Sequence, residues 1–408
     1  MTNDKRGVLG EVSVATLRAS GSMKWSMFPH KINGHDTLPC FVAEMDFPPA
    51  SVIREALARW ATEGSLGYRD PALVENFQRV VAQYYAGAGM DIPLSTVRPL
   101  SDVMTAYDVV ARLFTPLQSP ITLLTPAYMN FVRHIFADQR PVHTVEMLAP
   151  DAGDAPWRIN WQALEHAMSS GGLLVLVNPH NPIGKVYTRT ELETIADLAQ
   201  HYGVRVFSDE IHSPLVYPGH RHVPFASVSD TAAEVAITAW SATKAYSIPG
   251  TKVASLIFTN PSDIQLWDRY APHLEMGTAT SGYIATIAAL DHAQEWFEAM
   301  IQQLDINRKL FDRLVDEHLP GATFHQPEAT YLAWLDLRGT RNYQELAAQV
   351  TNDSNLADVT AYHSGVIATD GTETGPSGVG HLRINFATTP QIIQRIVAQM
   401  GQAYSPAI

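Results

Sequence analysis

The chain has a single cysteine, Cys40, in 408 residues. One thiol excludes a disulfide framework and any zinc cage built from cysteines, and it fits a reducing cytosol. Basic residues are also short: 28 Lys and Arg face 41 Asp and Glu, a formal charge of −13. Such a surface repels a phosphate backbone, so no nucleic-acid partner is expected. Nowhere do about 18 uncharged apolar residues run together, the length a membrane-spanning helix requires. The opening MTNDKRGVLGEVS lacks the apolar stretch of a signal peptide. A soluble, cytoplasmic protein with no membrane partner is expected. Internal repeats and heptads are missing too, which excludes solenoids and coiled coils.

What is present has the composition of a globular protein, 46% hydrophobic and 17% charged. Its length exceeds one ordinary core and suits a large domain with a smaller one. Residues 1–48 read as irregular and Pro-punctuated, ending in FVAEMDFPPA. A helix is expected from SVIREALARWATEG, with Ser51 as its N-cap and Val52, Ile53, Ala56, Leu57 and Trp60 on one face. The middle of the chain then alternates. Short apolar runs (PITLLTP, GLLVLVNP, VRVFSDEI, AITAWSAT, VASLIFTN) are separated by helix-like segments such as TELETIADLAQHYG. This rhythm predicts an α/β fold: a mostly parallel central sheet with helices on both faces. A long helical stretch over 283–318 interrupts it, and a smaller α+β unit comes after. The expected division is a large domain at 49–288, with 1–48 and 289–408 forming the small one.

In open α/β sheets ligands bind beyond the carboxyl ends of the strands. After GLLVLV come Asn178, His180 and Asn181; after VRVFS come Asp209, Glu210 and His212; after AITAW come Ser241, Thr243 and Lys244. An amide, a carboxylate and a lysine thus converge on one crevice, a set that suits pyridoxal phosphate. That cofactor needs an amine to condense with its aldehyde and a carboxylate against its ring nitrogen. It also needs a donor at its phenolic oxygen, an aromatic face for its ring and a cationic, hydroxyl-rich cup for its phosphate. Lys244, Asp209, Asn181, Tyr128 (in TPAYMNF) and Ser241 with Lys252 supply these in order. His180 is assigned to packing. GPSGVG at 375–380 matches a dinucleotide glycine pattern but leads into INFAT, and it is read as a turn.

The string NPHNPIG…SDEIHSPL…SATKAYSIPGTK…LRINFAT resembles the fold type I pyridoxal-phosphate enzymes, the aspartate aminotransferase superfamily, over nearly the whole chain. The resemblance implies an aspartate-aminotransferase-like fold, with Lys244 as the lysine that binds the cofactor covalently. It implies Asp209 at the pyridine nitrogen, Asn181 as the matching asparagine of NPHNP, and Arg383 of R-x-N-F gripping the substrate carboxylate. Within the superfamily, FVAEMDFPPA, GYRDP at 67–71, NPHNP, DEIHSPL and PEATYLAWLDL at 327–337 are similar to the MalY/PatB-type cystathionine β-lyases and related cysteine-S-conjugate lyases. His212 stands where many aminotransferases carry tyrosine; it is expected to touch the cofactor or to orient Asp209. Tyr68 matches the tyrosine that reaches the neighbouring subunit's phosphate, which implies a homodimer with shared active sites. The phosphate-cup segment, often Gly-rich in the superfamily, reads LSDVMTAYD. There Ser101, Asp102 and Val103 offer backbone N–H groups at a helix start, and Asp102 adds a negative charge. Lys252 stands eight residues after Lys244, where aminotransferases often have arginine, and would bind phosphate as a point charge.

The pyridoxal machinery permits transamination or loss of a β-thiolate alike, so Lys244, Asp209 and Asn181 do not choose between them. The resemblance favours carbon–sulfur cleavage of cystathionine, cystine or an S-alkyl or S-aryl cysteine to a thiol, pyruvate and ammonia. The rivals are an aminotransferase of a neutral or aromatic amino acid and a regulatory protein that binds a transcription factor.

Overall fold

The computed structural model describes residues 9–10, 12–137, 139–150 and 156–406. Residues 1–8, 11 and 407–408 of the expected small domain lie outside the described residues. Seven strands make the large sheet: β1 (Val97–Leu100), β2 (Ile121–Thr125), β3 (Val142–Glu146), β4 (Gly172–Val177), β5 (Val204–Asp209), β6 (Ala236–Trp240) and β7 (Ala254–Phe258). Their order is β1-β7-β6-β5-β4-β2-β3. The five strands from β6 to β3 are parallel, and β7 runs antiparallel to both its neighbours. Strands β2, β6 and β7 are buried along their whole length, which is why their sequences are continuous apolar runs and not alternating ones.

Nine helices matter here: α1 (Ser51–Glu63), α2 (Pro71–Gly87), α3 (Val103–Leu113), α4 (Met129–Ala137), α5 (Arg189–Tyr202), α6 (Thr280–His292), α7 (Gln294–His318), α8 (Leu356–Ser364) and α9 (Pro390–Tyr404). Helix α5 illustrates how local chemistry sets them. Thr188 and Glu191 form a reciprocal capping box, and Gly203 ends the helix at φ 65°. Between them Leu192, Ile195, Ala196 and Ala199 bury one face.

Two expectations are corrected. Ser51 is the first helical residue and not the cap; Ala50 holds the extended N-cap position and no side chain caps the helix. Pro48 and Pro49 lead the chain in, so the turn begins one residue early and the Ser51 hydroxyl is left to solvent. The stretch 283–318 is two helices, broken at Ala293. The break lets α6 pack on α1 and α2 while α7 packs on α9.

A second sheet is built from β8 (Thr323–Phe324), β9 (Leu332–Asp336), β10 (Thr369–Asp370) and β11 (His381–Asn385), antiparallel in the order β8-β9-β11-β10. Beside it Leu38–Pro39 pairs in parallel with Val366–Ile367. That pairing carries the FVAEMDFPPA segment across to the carboxyl ends of the large sheet. Among the described residues no helix is long and apolar enough to cross a membrane.

Candidate active site

Register brings the chemistry together. Val177, Asp209 and Ala239 stand side by side across β4, β5 and β6, so the loops leaving these strands open on one crevice. The chain order reverses between β2 and β4, the position where open α/β sheets leave a gap. Tyr128 follows β2 and Asn181 follows β4, on either side of that gap. A cavity of about 1030 Å³ fills it. Its walls include Ser101, Asp102, Val103, Tyr128, Asn181, Asp209, His212, Ser241, Lys244, Lys252 and Arg383.

Lys244 extends from the loop after β6 and donates to the Ala43 carbonyl at 2.9 Å. The Tyr331 hydroxyl donates to the same oxygen at 3.1 Å. Burial, with the nearby Arg383 charge, lowers the Lys244 amine to about 8, against the pull of Glu44 and Asp209. A fraction of it is therefore neutral, and nucleophilic, near neutral pH. Asp209, 4% exposed, takes one N–H from Ile211 at 3.1 Å. Burial raises its carboxyl to about 7, helped by Glu210 and opposed by the Ile211 N–H and Lys244. His212 is held neutral, its imidazole lowered to about 3 by burial and by the Lys244 and Arg383 charges. Its Nδ1 is buried without a partner. No hydrogen bond joins His212 to Asp209 among the described residues, so the Ile211 N–H, and not His212, orients the carboxylate.

Arg383 enters from β11 of the second sheet. Its guanidinium donates to the Phe41 carbonyl at 2.8 Å, to Thr369 Oγ1 at 3.2 Å and to Asn181 Oδ1 at 3.4 Å. Its Nε is buried and unpartnered, and burial lowers the group to about 10. At the other end of the cavity Asp102 caps α3, accepting from the Thr105 N–H at 2.8 Å. Burial works against its ionisation, yet the Thr105 N–H and the Lys252 ammonium, 2.9 Å away, hold its carboxyl below the usual range.

Two residues expected at a phosphate cup have partners within the chain. Lys252, expected to bind phosphate as a point charge, is paired with Asp102. Ser241 Oγ lies 2.7 Å from the Val253 carbonyl and 3.1 Å from the Thr243 N–H, so its proton serves the loop that presents Lys244. His180 is a packing residue, with its ring nitrogens 2.8 Å from the Tyr187 hydroxyl and 2.8 Å from the Pro126 carbonyl. Tyr68 is apart from all of these. Its side chain is 93% exposed and outside the cavity. Within one chain it reaches none of the other site residues.

The family model of aminotransferase class I and II matches residues 42–400. The chain belongs to this family. A provisionally named cystathionine β-lyase of Mycobacterium tuberculosis is 35% identical over 413 residues, covering 97% of this chain and 98% of its own length. The cystathionine β-lyase PatB of Bacillus subtilis is 28% identical over 387 residues, covering 93% and 97%. Among solved structures, a provisionally assigned pyridoxal-phosphate-dependent β-cystathionase of Corynebacterium diphtheriae superposes with a TM-score of 0.85 at 32% identity. It covers 96% of this chain and 98% of its own.

Within this family member the sequence left some cavity groups unsingled. Ala43 contributes only a backbone oxygen, which no residue type announces. Asn130 Nδ2 donates to the Tyr128 hydroxyl at 2.8 Å, and Arg133 and Glu373 pair at the cavity rim. Arg133 sits one helical turn beyond Met129 on α4, a spacing that a periodicity reading of NFVRHIF exposes once Tyr128 is taken as a site residue.

Proposed function

We propose that this chain is a pyridoxal-phosphate-dependent carbon–sulfur β-lyase that converts cystathionine or a related cysteine S-conjugate, with water, to a thiol, pyruvate and ammonia. The carrying observation is the Lys244 amine, lowered to about 8, in one cavity with the Asp209 carboxyl and the Arg383 guanidinium. The names of the relatives support the choice of reaction.

The donor set fits the cofactor. The Asp209 carboxyl, buried and raised to about 7, suits a ring N–H, and His212, whose Nδ1 has no partner, lines the same cavity. Tyr128 offers its ring and Asn181 its amide. The first N–H groups of α3, at Val103 and Met104, have no acceptor within the helix and suit phosphate oxygens, with Lys252 beside them. Bound there, pyridoxal phosphate supplies an aldehyde and an electron sink. The chain supplies the rest. Arg383 holds the substrate's α-carboxylate, and the Lys244 amine takes the Cα proton. The Ala43 carbonyl fixes where that amine points.

The test is to incubate purified protein with cystathionine and assay free thiol and pyruvate, with and without an added 2-oxo acid. Thiol release independent of the oxo acid is expected; amino transfer that requires it, without thiol, overturns the lyase reading in favour of an aminotransferase. A second outcome concerns Lys244. On mixing cofactor-free protein with pyridoxal phosphate, the rate at which the visible band grows should rise between pH 6 and 9 with a midpoint near 8. The neutral amine is the nucleophile, and lowering its pKa moves this rise below the ordinary lysine range near 10.4. A rate still climbing tenfold per pH unit at pH 10 contradicts it.

The proposal includes a cytoplasmic homodimer with shared active sites, and the division into domains at 49–288 and at 1–48 with 289–408. The loop that carries Tyr68 is held: the Ser65 carbonyl accepts from Trp60 at 3.1 Å, and the Arg69 guanidinium lies 5.6 Å from the Tyr283 ring centre. A fixed loop that presents Leu66 and Tyr68 to solvent suits a partner's site. Unfold, mix equally and refold Lys244→Ala and Tyr68→Ala chains. Half the dimers are then mixed, and each rebuilds one site with both native residues, so about a quarter of all sites should recover. Activity at the average of the two parents, with mixed dimers present, removes Tyr68 from the site.

A further inference from the structure

We infer that the rim of the cavity is a binding subsite for a second amino-acid group, the zwitterionic far end of the thiol that the reaction releases, with Arg133 and Glu373 as its recognition pair. This rests on the β-lyase reading above and narrows its substrate class. Helix α4 starts at the site itself: Tyr128 precedes it, and the Met129 sulfur lies 3.8 Å from the Arg383 guanidinium. Arg133 is four residues further on, hence on the same face and one turn outward. Glu373 meets it from the turn Gly371–Thr374. That turn is fixed to the start of α4, because the Thr374 carbonyl accepts the Ala127 N–H at 2.8 Å and the Thr374 hydroxyl donates to the Gly371 carbonyl at 2.7 Å.

The pair is only partly used. Arg133 Nη2 bonds Glu373 Oε2, while the other guanidinium donors and Glu373 Oε1 have no protein partner among the described residues. Arg133 is 62% exposed and Glu373 28%, so the acid sits inward and the cation outward. Glu373 is raised by burial and by the Asp370 and Asp358 charges, with Arg133 and Arg383 pulling the other way, which puts the rim pair within electrostatic reach of the α-carboxylate grip. The same cavity has an apolar part to its wall, with Met23, Met27, Phe28 and Ile32, and Asp358 and Tyr362 among its polar groups.

This combination selects. An alkyl or aryl leaving group would satisfy the apolar wall but would strip water from the ion pair without replacing it. A lone anion or a lone cation meets a pair of no net charge. An α-amino-acid end carries a carboxylate and an ammonium together, and can set the first on Arg133, whose planar fork takes carboxylates, and the second on Glu373. Its methylene stem then lies along the methionine and phenylalanine wall. Conjugates such as cystathionine and cystine have such an end; S-alkyl cysteines do not.

The experiment compares kcat/KM for cystathionine and for S-ethylcysteine in the wild-type holoenzyme, Arg133→Met and Glu373→Gln. Both side chains are at the rim, and the visible cofactor band reports that the variants are folded and loaded. Arg133→Met should lower the cystathionine to S-ethylcysteine preference about 10- to 100-fold, the loss of a charge-assisted pair. Glu373→Gln should lower it in the same direction. The wild-type chain should treat S-(3-aminopropyl)cysteine, which lacks the far carboxylate, as Arg133→Met treats cystathionine. A preference that stays unchanged, or two substrates that decline in parallel, overturns the subsite and leaves the lyase reading standing. A wild-type chain that releases thiol from neither conjugate overturns both.

Discussion

A Lys244→Ala chain should release thiol from cystathionine at least about 10⁴-fold more slowly than the wild type, because two functions leave together. The amine that anchors the cofactor is gone, and so is the base above the substrate's Cα. The surroundings of Lys244 argue against a merely structural loss. Its ammonium makes a hydrogen bond to one carbonyl, Ala43, which Tyr331 also satisfies, so removing it leaves no orphaned acceptor. The folded state should therefore survive. Borohydride treatment followed by peptide mass mapping separates the two functions: wild-type protein should carry reduced cofactor on Lys244, and the variant should carry none. A variant that keeps more than about one per cent of the wild-type rate would show that another group takes the Cα proton.

Asp209→Asn should keep the cofactor and lose about two to four decades of turnover. The amide is nearly isosteric, and its oxygen can still accept the Ile211 N–H that holds the carboxylate now. What it cannot do is stabilise a proton on the ring nitrogen. Burial has already raised Asp209 to about 7, so the free carboxyl is poised to ionise when a positive charge arrives against it. The measurement pairs the visible band with the thiol assay. A near wild-type rate with the band intact would mean that Asp209 faces elsewhere.

The parallel sheet was legible because β2, β4, β5 and β6 are almost wholly buried on both faces and so read as apolar runs; the edge strand β3, mostly outside the core, gave no such run. The polar residues after those runs stood out for the same reason, and Asn181, Asp209 and Lys244 share one cavity. Register was not legible: nothing in the residues states that Val177, Asp209 and Ala239 align. Backbone roles were hidden too. FVAEMDFPPA was noticed for its likeness to a family, while its physical contribution here is a pair of carbonyls, Ala43 for Lys244 and Phe41 for Arg383. The Ser51 hydroxyl misled, since a serine that caps a helix and one left to solvent read alike, and only packing decides where the group turns. Arg133 and Glu373 are 240 residues apart, and their meeting depends on how the second sheet docks.

The pairing of Leu38–Pro39 with Val366–Ile367 fixes the order in which a nascent chain can complete itself. The large sheet closes with β7 at Phe258, while residues 259–408 are still being made. Residues 38–47, with Leu38, Cys40, Ala43, Met45 and Phe47 all destined for the interior, must wait for their cover. Asn385, which grips the Val42 and Glu44 carbonyls at 2.8 and 2.7 Å, arrives later still. Cys40 and Ile367 are 327 residues apart. At roughly 5–20 residues per second, that is about 15–65 s of translation during which this ribbon lacks its parallel partner strand. The one thiol of the protein is in that ribbon, and the Ile367 carbonyl it donates to comes only with the Val366–Ile367 strand.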